Sequence, residues 1–216
     1  MVALSLDLNF LRYPGSKRRV LGFLTERLPS GAQISGKFIE PFVGGGAIYF
    51  CLQPRRAILA DLNKELVDIY LGISNRPESV WRIYRTFPAT KAAYRQIRAL
   101  DRDVLTPSRR AARSLYLNRT CFKGMWRHNS KGIFNVGYGG QSRRWAISRK
   151  GLFRISELLR NAEILCCDFE QTISAARAEE FFLSILLTDL ERKSKFIPTT
   201  GANSSPSLIK NAYLHV

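Results

Sequence analysis

Lys37-Phe38-Ile39-Glu40-Pro41-Phe42-Val43-Gly44-Gly45-Gly46-Ala47 is the stretch on which the reading of this chain turns. It opens on a short apolar run after Gly36 and closes on three glycines, and Ala47 to Leu52 can continue as a helix. Strand, glycine turn and helix in that order predict a parallel sheet whose turn lets a ligand approach the backbone. A second buried strand is expected at Ala57-Ile58-Leu59-Ala60, closed by Asp61, after which Asn63 caps a helix carrying Leu66, Val67, Ile69 and Tyr70 on one face. Strands alternating with helices place the chain in the α/β class. An acid just beyond the second strand can accept ribose hydroxyls. The three adjacent glycines lack the spaced GxGxxG, so a nucleoside without a pyrophosphate suits the turn better than a dinucleotide; a tight connection with no ligand is the plainer alternative.

Upstream, Val20, Leu21, Phe23, Leu24 and Leu28 recur at helical spacing and predict a helix from Lys17 to Leu28, ended by Pro29-Ser30-Gly31. Downstream, residues 76 to 118 read as three helices starting near Pro77, Thr90 and Thr106-Pro107. Residues 119 to 142 mix Gly, Asn, aromatics and cations, which predicts a hairpin or ordered loop. A helix over about 151 to 160 then leads to Glu163-Ile164-Leu165-Cys166-Cys167-Asp168, again an apolar run closed by an acid. The α/β pattern has resumed. We therefore expect one domain from residues 1–75 and 143–190, an insertion over 76–142, and an irregular tail over 191–216, where Pro198 to Ser207 is rich in Thr, Ser, Gly and Pro.

The chain has 216 residues, with 34 Lys+Arg against 17 Asp+Glu and a net charge of +17. Hydrophobic residues at 45% are enough for a buried core, and no apolar run reaches membrane-spanning length. Cys51, Cys121, Cys166 and Cys167 form no CxxC pair or disulfide framework, so a soluble protein of the cytoplasm is expected. With His128 and His215 the only histidines, no zinc site or Ser-His-Asp triad is expected, and no metal. Residues 106 to 160 hold thirteen Lys and Arg against the single acid Glu157, interleaved with Tyr116, Phe122, Trp126, Phe134, Tyr138 and Trp145. A solvated basic face is one reading. Cations set among aromatics and Asn suit a polyanion with base edges better, and the Gly, Asn and Ser punctuation breaks the amphipathic helix that a lipid surface would favour.

Four segments carry a family resemblance: Arg12-Tyr13-Pro14-Gly15-Ser16-Lys17, FIEPFVGGGA from Phe38, Leu59-Ala60-Asp61-Leu62-Asn63, and LYLNRTCFKGMWRHNSKGIFNVGYG from Leu115. In order and spacing, from about residue 11 to 183, the chain resembles the Dam-type DNA adenine methyltransferases. That resemblance implies a Rossmann-like methyltransferase sheet with an inserted helical DNA-recognition module. It implies S-adenosylmethionine held by Tyr13 and Lys17, by Glu40, Phe42 and Gly44 at the glycine turn, by Asp61 at the ribose, and by Asp168 and Phe169 around the adenine. It also implies double-stranded DNA as partner, met by Asn118, Arg119, Phe122, Lys123, Arg127, Asn129, Lys131 and Asn135, with an aromatic wedged into the stack as the target base is flipped out. A monomer is expected. Thr120 and Phe122 stand where family members often carry other residues, so no recognised sequence carries over.

The family's catalytic Asp-Pro-Pro-Tyr is found nowhere in the chain. After Phe181-Phe182-Leu183 the sequence reads Ser184-Ile185-Leu186-Leu187-Thr188. Codons TCG-ATC-CTC-CTT-ACN for that run, read two nucleotides later, encode Asp-Pro-Pro-Tyr, so the expectation is a frameshifted tail from about Ser184, incomplete C-terminal strands and slow or absent transfer; Ile185 to Leu187 completing a buried strand is the alternative. Two rival functions stand beside the enzyme: a non-catalytic DNA-binding remnant, and a basic RNA-binding module, which lacks the expected small sheet with aromatic signatures.

Overall fold

The computed structural model describes residues 10–140, 147–174, 180–184 and 211–213. Among the described residues five strands form one sheet: β1 (Phe38–Glu40), β2 (Ala57–Ala60), β3 (Ala162–Leu165), β4 (Phe181–Ser184) and β5 (Asn211–Tyr213). All pairings are parallel and the order is β3-β2-β1-β4-β5, with Phe38 opposite Ala57 on one side and Phe181 on the other. Every residue of β1 and β2 is buried, which is why both read as unbroken apolar runs rather than alternating ones. From β1 the chain steps outward to β2 and β3, then returns to place β4 against β1's other edge. The connections on the two sides of β1 diverge there and leave a crevice at the carboxyl ends of the strands.

The helices are α1 (Leu21–Thr25), α2 (Ala47–Leu52), α3 (Lys64–Asn75), α4 (Pro77–Thr86), α5 (Lys91–Ala99), α6 (Pro107–Thr120), α7 (Arg149–Leu159) and α8 (Phe169–Ser174). Asn63 caps α3 by accepting from the Glu65 and Leu66 amides, and Thr90 caps α5 through Ala93. Pro77 and Pro107 stand in the first turns of α4 and α6, where a missing N–H costs nothing. One hydrophobic cluster runs from Phe10, Phe38 and Phe50 through Tyr70 to Tyr84, Tyr94 and Tyr116, so α4, α5 and α6 share a core with the sheet's helices. Asp68 of α3 holds the 100–106 connection, at 2.6 Å from Arg102 Nε and 3.4 Å from Arg110 Nε.

Three differences from the sequence reading stand out. The expected helix over 17–28 divides into a 3-10 turn, Lys17–Val20, and the five-residue α1, because neither start has a side-chain cap and Gly22 weakens the first turn of α1. Helix α8 was not anticipated. The third is a correction: Asn211–Tyr213, assigned to the irregular tail, forms β5 and pairs with β4, so the sheet continues by one strand past β4. Arg143, Arg144 and Trp145 of the basic segment, Ile185 to Leu187 and Pro198 to Ser207 lie outside the described residues.

Candidate functional site

A cavity of about 270 Å³ lies at the carboxyl end of β1, lined by Tyr13, Lys17, Glu40, Phe42, Gly44 and Asp61 among others. Six of the eight residues expected to hold a ligand thus converge there from three separate segments. Its floor is the glycine turn. Gly44 and Gly46 sit at φ of +48° and +65°, and a Cβ on Gly46 would stand 2.7 Å from the Phe50 ring and 2.9 Å from the Tyr70 hydroxyl, so no larger residue fits. Asp61 holds the turn from β2: its Oδ2 accepts from the Gly44 amide at 3.0 Å and its Oδ1 from the Asn63 amide at 3.0 Å. The Tyr70 hydroxyl donates to the Gly44 carbonyl at 2.8 Å from below.

Charge in this cavity is poorly compensated. Glu40 is 2% exposed, and neither carboxylate oxygen has a well-formed hydrogen-bond partner among the described residues. Burial pushes its pKa up to about 7, and neither the charge of Lys17 nor the Tyr49 amide offsets that fully. Burial also raises Asp61, against its amide hydrogen bonds, and pushes Tyr13 up to about 12. Lys17 Nζ, 3.5 Å from the Phe42 carbonyl, donates its one described hydrogen bond there. A buried carboxylate wants a cation, a loosely held ammonium wants an anion, and Asp61 keeps acceptor capacity for hydroxyls. Phe169 is not in the lining, but its ring lies 5.5 Å from Phe42 and extends that wall. Asp168 stands at the start of α8, where it accepts from the Glu170 amide at 3.0 Å.

The basic segment divides into an inside and an outside. The bridges Cys121–Tyr138 and His128–Phe134 are antiparallel and define the hairpin read from its composition. Asn129 builds its tip, accepting from the Lys131 and Ile133 amides at 3.0 Å each. Lys123, Arg127 and Lys131 are exposed, and Phe122, 45% exposed, lies 5.3 Å beneath Lys123 Nζ. Arg127 Nε donates to Asn135 at 2.9 Å, so these two form one exposed pair. Asn118 and Arg119, expected on the nucleic acid, are instead interior, because α6 is buried on all sides from Ala111 to Thr120. Asn118 accepts from the Arg12 amide at 2.9 Å and donates back to the Arg12 carbonyl, which fixes the segment that delivers Tyr13. Arg119 is 4% exposed, with its pKa lowered chiefly by burial.

Glu65 was missed. On α3, one turn beyond Asp61, it accepts from Arg113 at 2.8 Å and lies 3.1 Å from His128 Nε2, binding helix to hairpin. These partners are 48 and 63 residues away, a separation no local pattern reveals. A second cavity of about 1020 Å³ shares Tyr13 and Asp61 with the first and reaches Trp126, His128 and Lys131. Among the described residues no group of three or more His, Cys, Asp or Glu side chains is placed to hold a metal ion, and no helix is long and apolar enough to cross a membrane.

The family model of the D12 class N6 adenine-specific DNA methyltransferases matches residues 13–183. A type II methyltransferase of Lactococcus lactis subsp. cremoris is 33% identical over 180 residues, covering 80% of this chain and 62% of that protein. A type II methyltransferase of Methanocaldococcus jannaschii is 31% identical over 190 residues, covering 80% and 66%, and the DNA adenine methylase of Escherichia coli K12 is 32% identical over 175 residues, covering 79% and 60%. The chain spans about three fifths of the length of such relatives.

Proposed function

The chain belongs to the D12 class of N6 adenine-specific DNA methyltransferases, and from that membership we propose that it binds S-adenosylmethionine in the cavity at the end of β1 and presents the 121–138 hairpin to duplex DNA. When bound, the cofactor supplies an electrophilic methyl group for the exocyclic amine of an adenine. The observation that carries this reading is the buried, incompletely compensated Glu40 carboxylate with Lys17 and Asp61 around one cavity. An isolated buried charge costs several kcal/mol, so the site is built for a ligand that brings a cation. Glu40 takes the ammonium of the methionine moiety, Lys17 its carboxylate and Asp61 the ribose hydroxyls. Tyr13 and Phe42 wall the site, and Phe169 extends it toward the adenine.

On this reading the sheet is a Rossmann-like methyltransferase sheet, and residues 76–142 are the target-recognition insertion. Lys123, Arg127 and Lys131 meet phosphates or base edges, and Phe122 is the aromatic that enters the stack. Asn118 and Arg119 act from inside by fixing the Arg12–Tyr13 segment. We assign the protein to the cytoplasm as a monomer. No residue is assigned to the transfer step, because the chain contains no Asp-Pro-Pro-Tyr. That observation favours one second reading, a cofactor- and DNA-binding chain that transfers slowly or not at all; a labelled-methyl assay on an adenine-containing duplex separates the two.

Calorimetric titration of Asp61→Ala with S-adenosylmethionine tests the binding reading. Loss of the ribose acceptor and of the bond to Gly44 should weaken affinity at least tenfold, by about 1.4 kcal/mol or more. Affinity equal to the parent's would remove Asp61 and the second strand end from the site.

A further inference from the structure

The hairpin reaches the cavity's wall through Trp126, a residue given no role so far. Trp126 lies 5.8 Å from the Tyr13 ring, at 45°, and 6.2 Å from Phe134 edge-on, so one indole links the cavity's aromatic wall to the hairpin's interior. Tyr13 is held on its other sides. A Cβ on Gly44 would stand 3.1 Å from its ring, its hydroxyl lies 3.5 Å from Asn63 Nδ2, and Asn118 clamps the backbone of Arg12 before it. Arg12 in turn packs against Gly124, two residues before Trp126, so closely that a Cβ at Gly124 would collide with it. The wall of the cavity therefore has a support on the hairpin and few ways to move without it.

The indole Nε1 is buried and has no hydrogen-bond partner among the described residues. Trp126 earns nothing from its polar atom here, and its contribution is the flat ring against Tyr13. A buried donor without a partner is a cost rather than a gain, so the part Trp126 plays here is one of ring shape and packing.

We propose that Trp126 is a positioning residue, which sets Tyr13 over the cofactor cavity according to the state of the hairpin and so couples cofactor affinity to DNA binding. The inference rests on the reading of the cavity as the S-adenosylmethionine site and of the hairpin as the DNA contact. Duplex bound on the hairpin would restrain Trp126 where it already stands against Tyr13, and so fix the cavity's aromatic wall before the cofactor enters. By linkage, the cofactor then strengthens DNA binding by the same factor.

The test measures S-adenosylhomocysteine affinity of the full chain by calorimetry, with and without a saturating duplex, for the parent, Trp126→Ala and Trp126→Phe. The parent should bind about fivefold or more tightly with DNA present, a typical coupling factor. Trp126→Ala should lose that gain, while Trp126→Phe, which keeps the ring and removes the orphaned N–H, should retain it and melt no lower than the parent. A merely structural role would lower the melting temperature without altering the ratio of the two affinities. Equal DNA enhancement in Trp126→Ala and the parent overturns the proposal while leaving the cofactor reading intact; so does loss of coupling in Trp126→Phe as complete as in Trp126→Ala. Failure of the parent to bind S-adenosylhomocysteine overturns the cofactor reading and the proposal with it. Should Trp126→Ala fail to fold, Trp126→Leu, which keeps apolar volume without an aromatic face, decides by the same ratio.

Discussion

Replacing Glu40 by glutamine should stabilise the unliganded protein above neutral pH and weaken its hold on the cofactor. The carboxyl titrates at about 7 in the fold against 4.5 for a free glutamate, raised chiefly by burial. Between those values the unfolded chain releases the proton while the folded chain keeps it, so stability falls as pH rises through the window and levels off above 7. The difference amounts to about 3 kcal/mol at pH 8 and under about 1 kcal/mol at pH 5. Glutamine has nearly the same shape and no proton to lose, so Glu40→Gln should escape this loss. Urea unfolding at the two pH values should show the variant ahead of the parent by about 3 kcal/mol at pH 8, with the gap nearly closed at pH 5; a thermal melt should show the same order with a gap of about 6–12 °C at pH 8. Saturating S-adenosylmethionine should reverse the order, because the cofactor's ammonium compensates the parent's carboxylate and finds only an amide in the variant. A gap of the same size at both pH values would refute the reasoning, since it would show that shape and not charge sets the cost at this position.

Lys123→Ala with Arg127→Ala should lower the slope of log affinity for duplex DNA against log salt by about 2, read by fluorescence anisotropy between about 50 and 200 mM salt; an unchanged slope would take both side chains off the phosphates. Asn118→Ala should cost about 1–3 kcal/mol in urea unfolding, because it removes the partner of the part-buried amide and carbonyl of Arg12, and should leave the salt slope unaltered, as an interior residue must. The chain as written should transfer labelled methyl groups to duplex adenine at least about a hundredfold more slowly than a version carrying Asp-Pro-Pro-Tyr after β4 with its downstream sequence, since a preorganised polar contact to the reacting group is worth roughly 3 kcal/mol. Equal rates would show that the tail supplies the chemistry and would retire the frameshift account.

Local patterning made most of the sheet and the cavity legible in the sequence. A buried parallel strand is an apolar run, a nucleoside turn needs glycines at left-handed backbone, and the acids follow the strand ends, so Phe38–Gly46, Ala57–Asp61 and the caps at Asn63 and Thr90 lay open to reading. Such features are set within about ten residues along the chain. What only the tertiary structure decided is which cations face outward and which long-range pairs form. Asn118 and Arg119 sit in the same basic, Asn-rich stretch as Lys123 and Arg127, yet the packing of α6 among its neighbours turns the first two inward and leaves the others in solvent. Glu65 finds Arg113 and His128, and Trp126 finds Tyr13, across gaps that carry no periodicity. The pairing of β5 with β4 is equally non-local: three residues in a polar tail become a strand because an existing sheet edge offers unpaired hydrogen-bonding groups, and the edge decides this rather than any propensity of Asn211 to Tyr213.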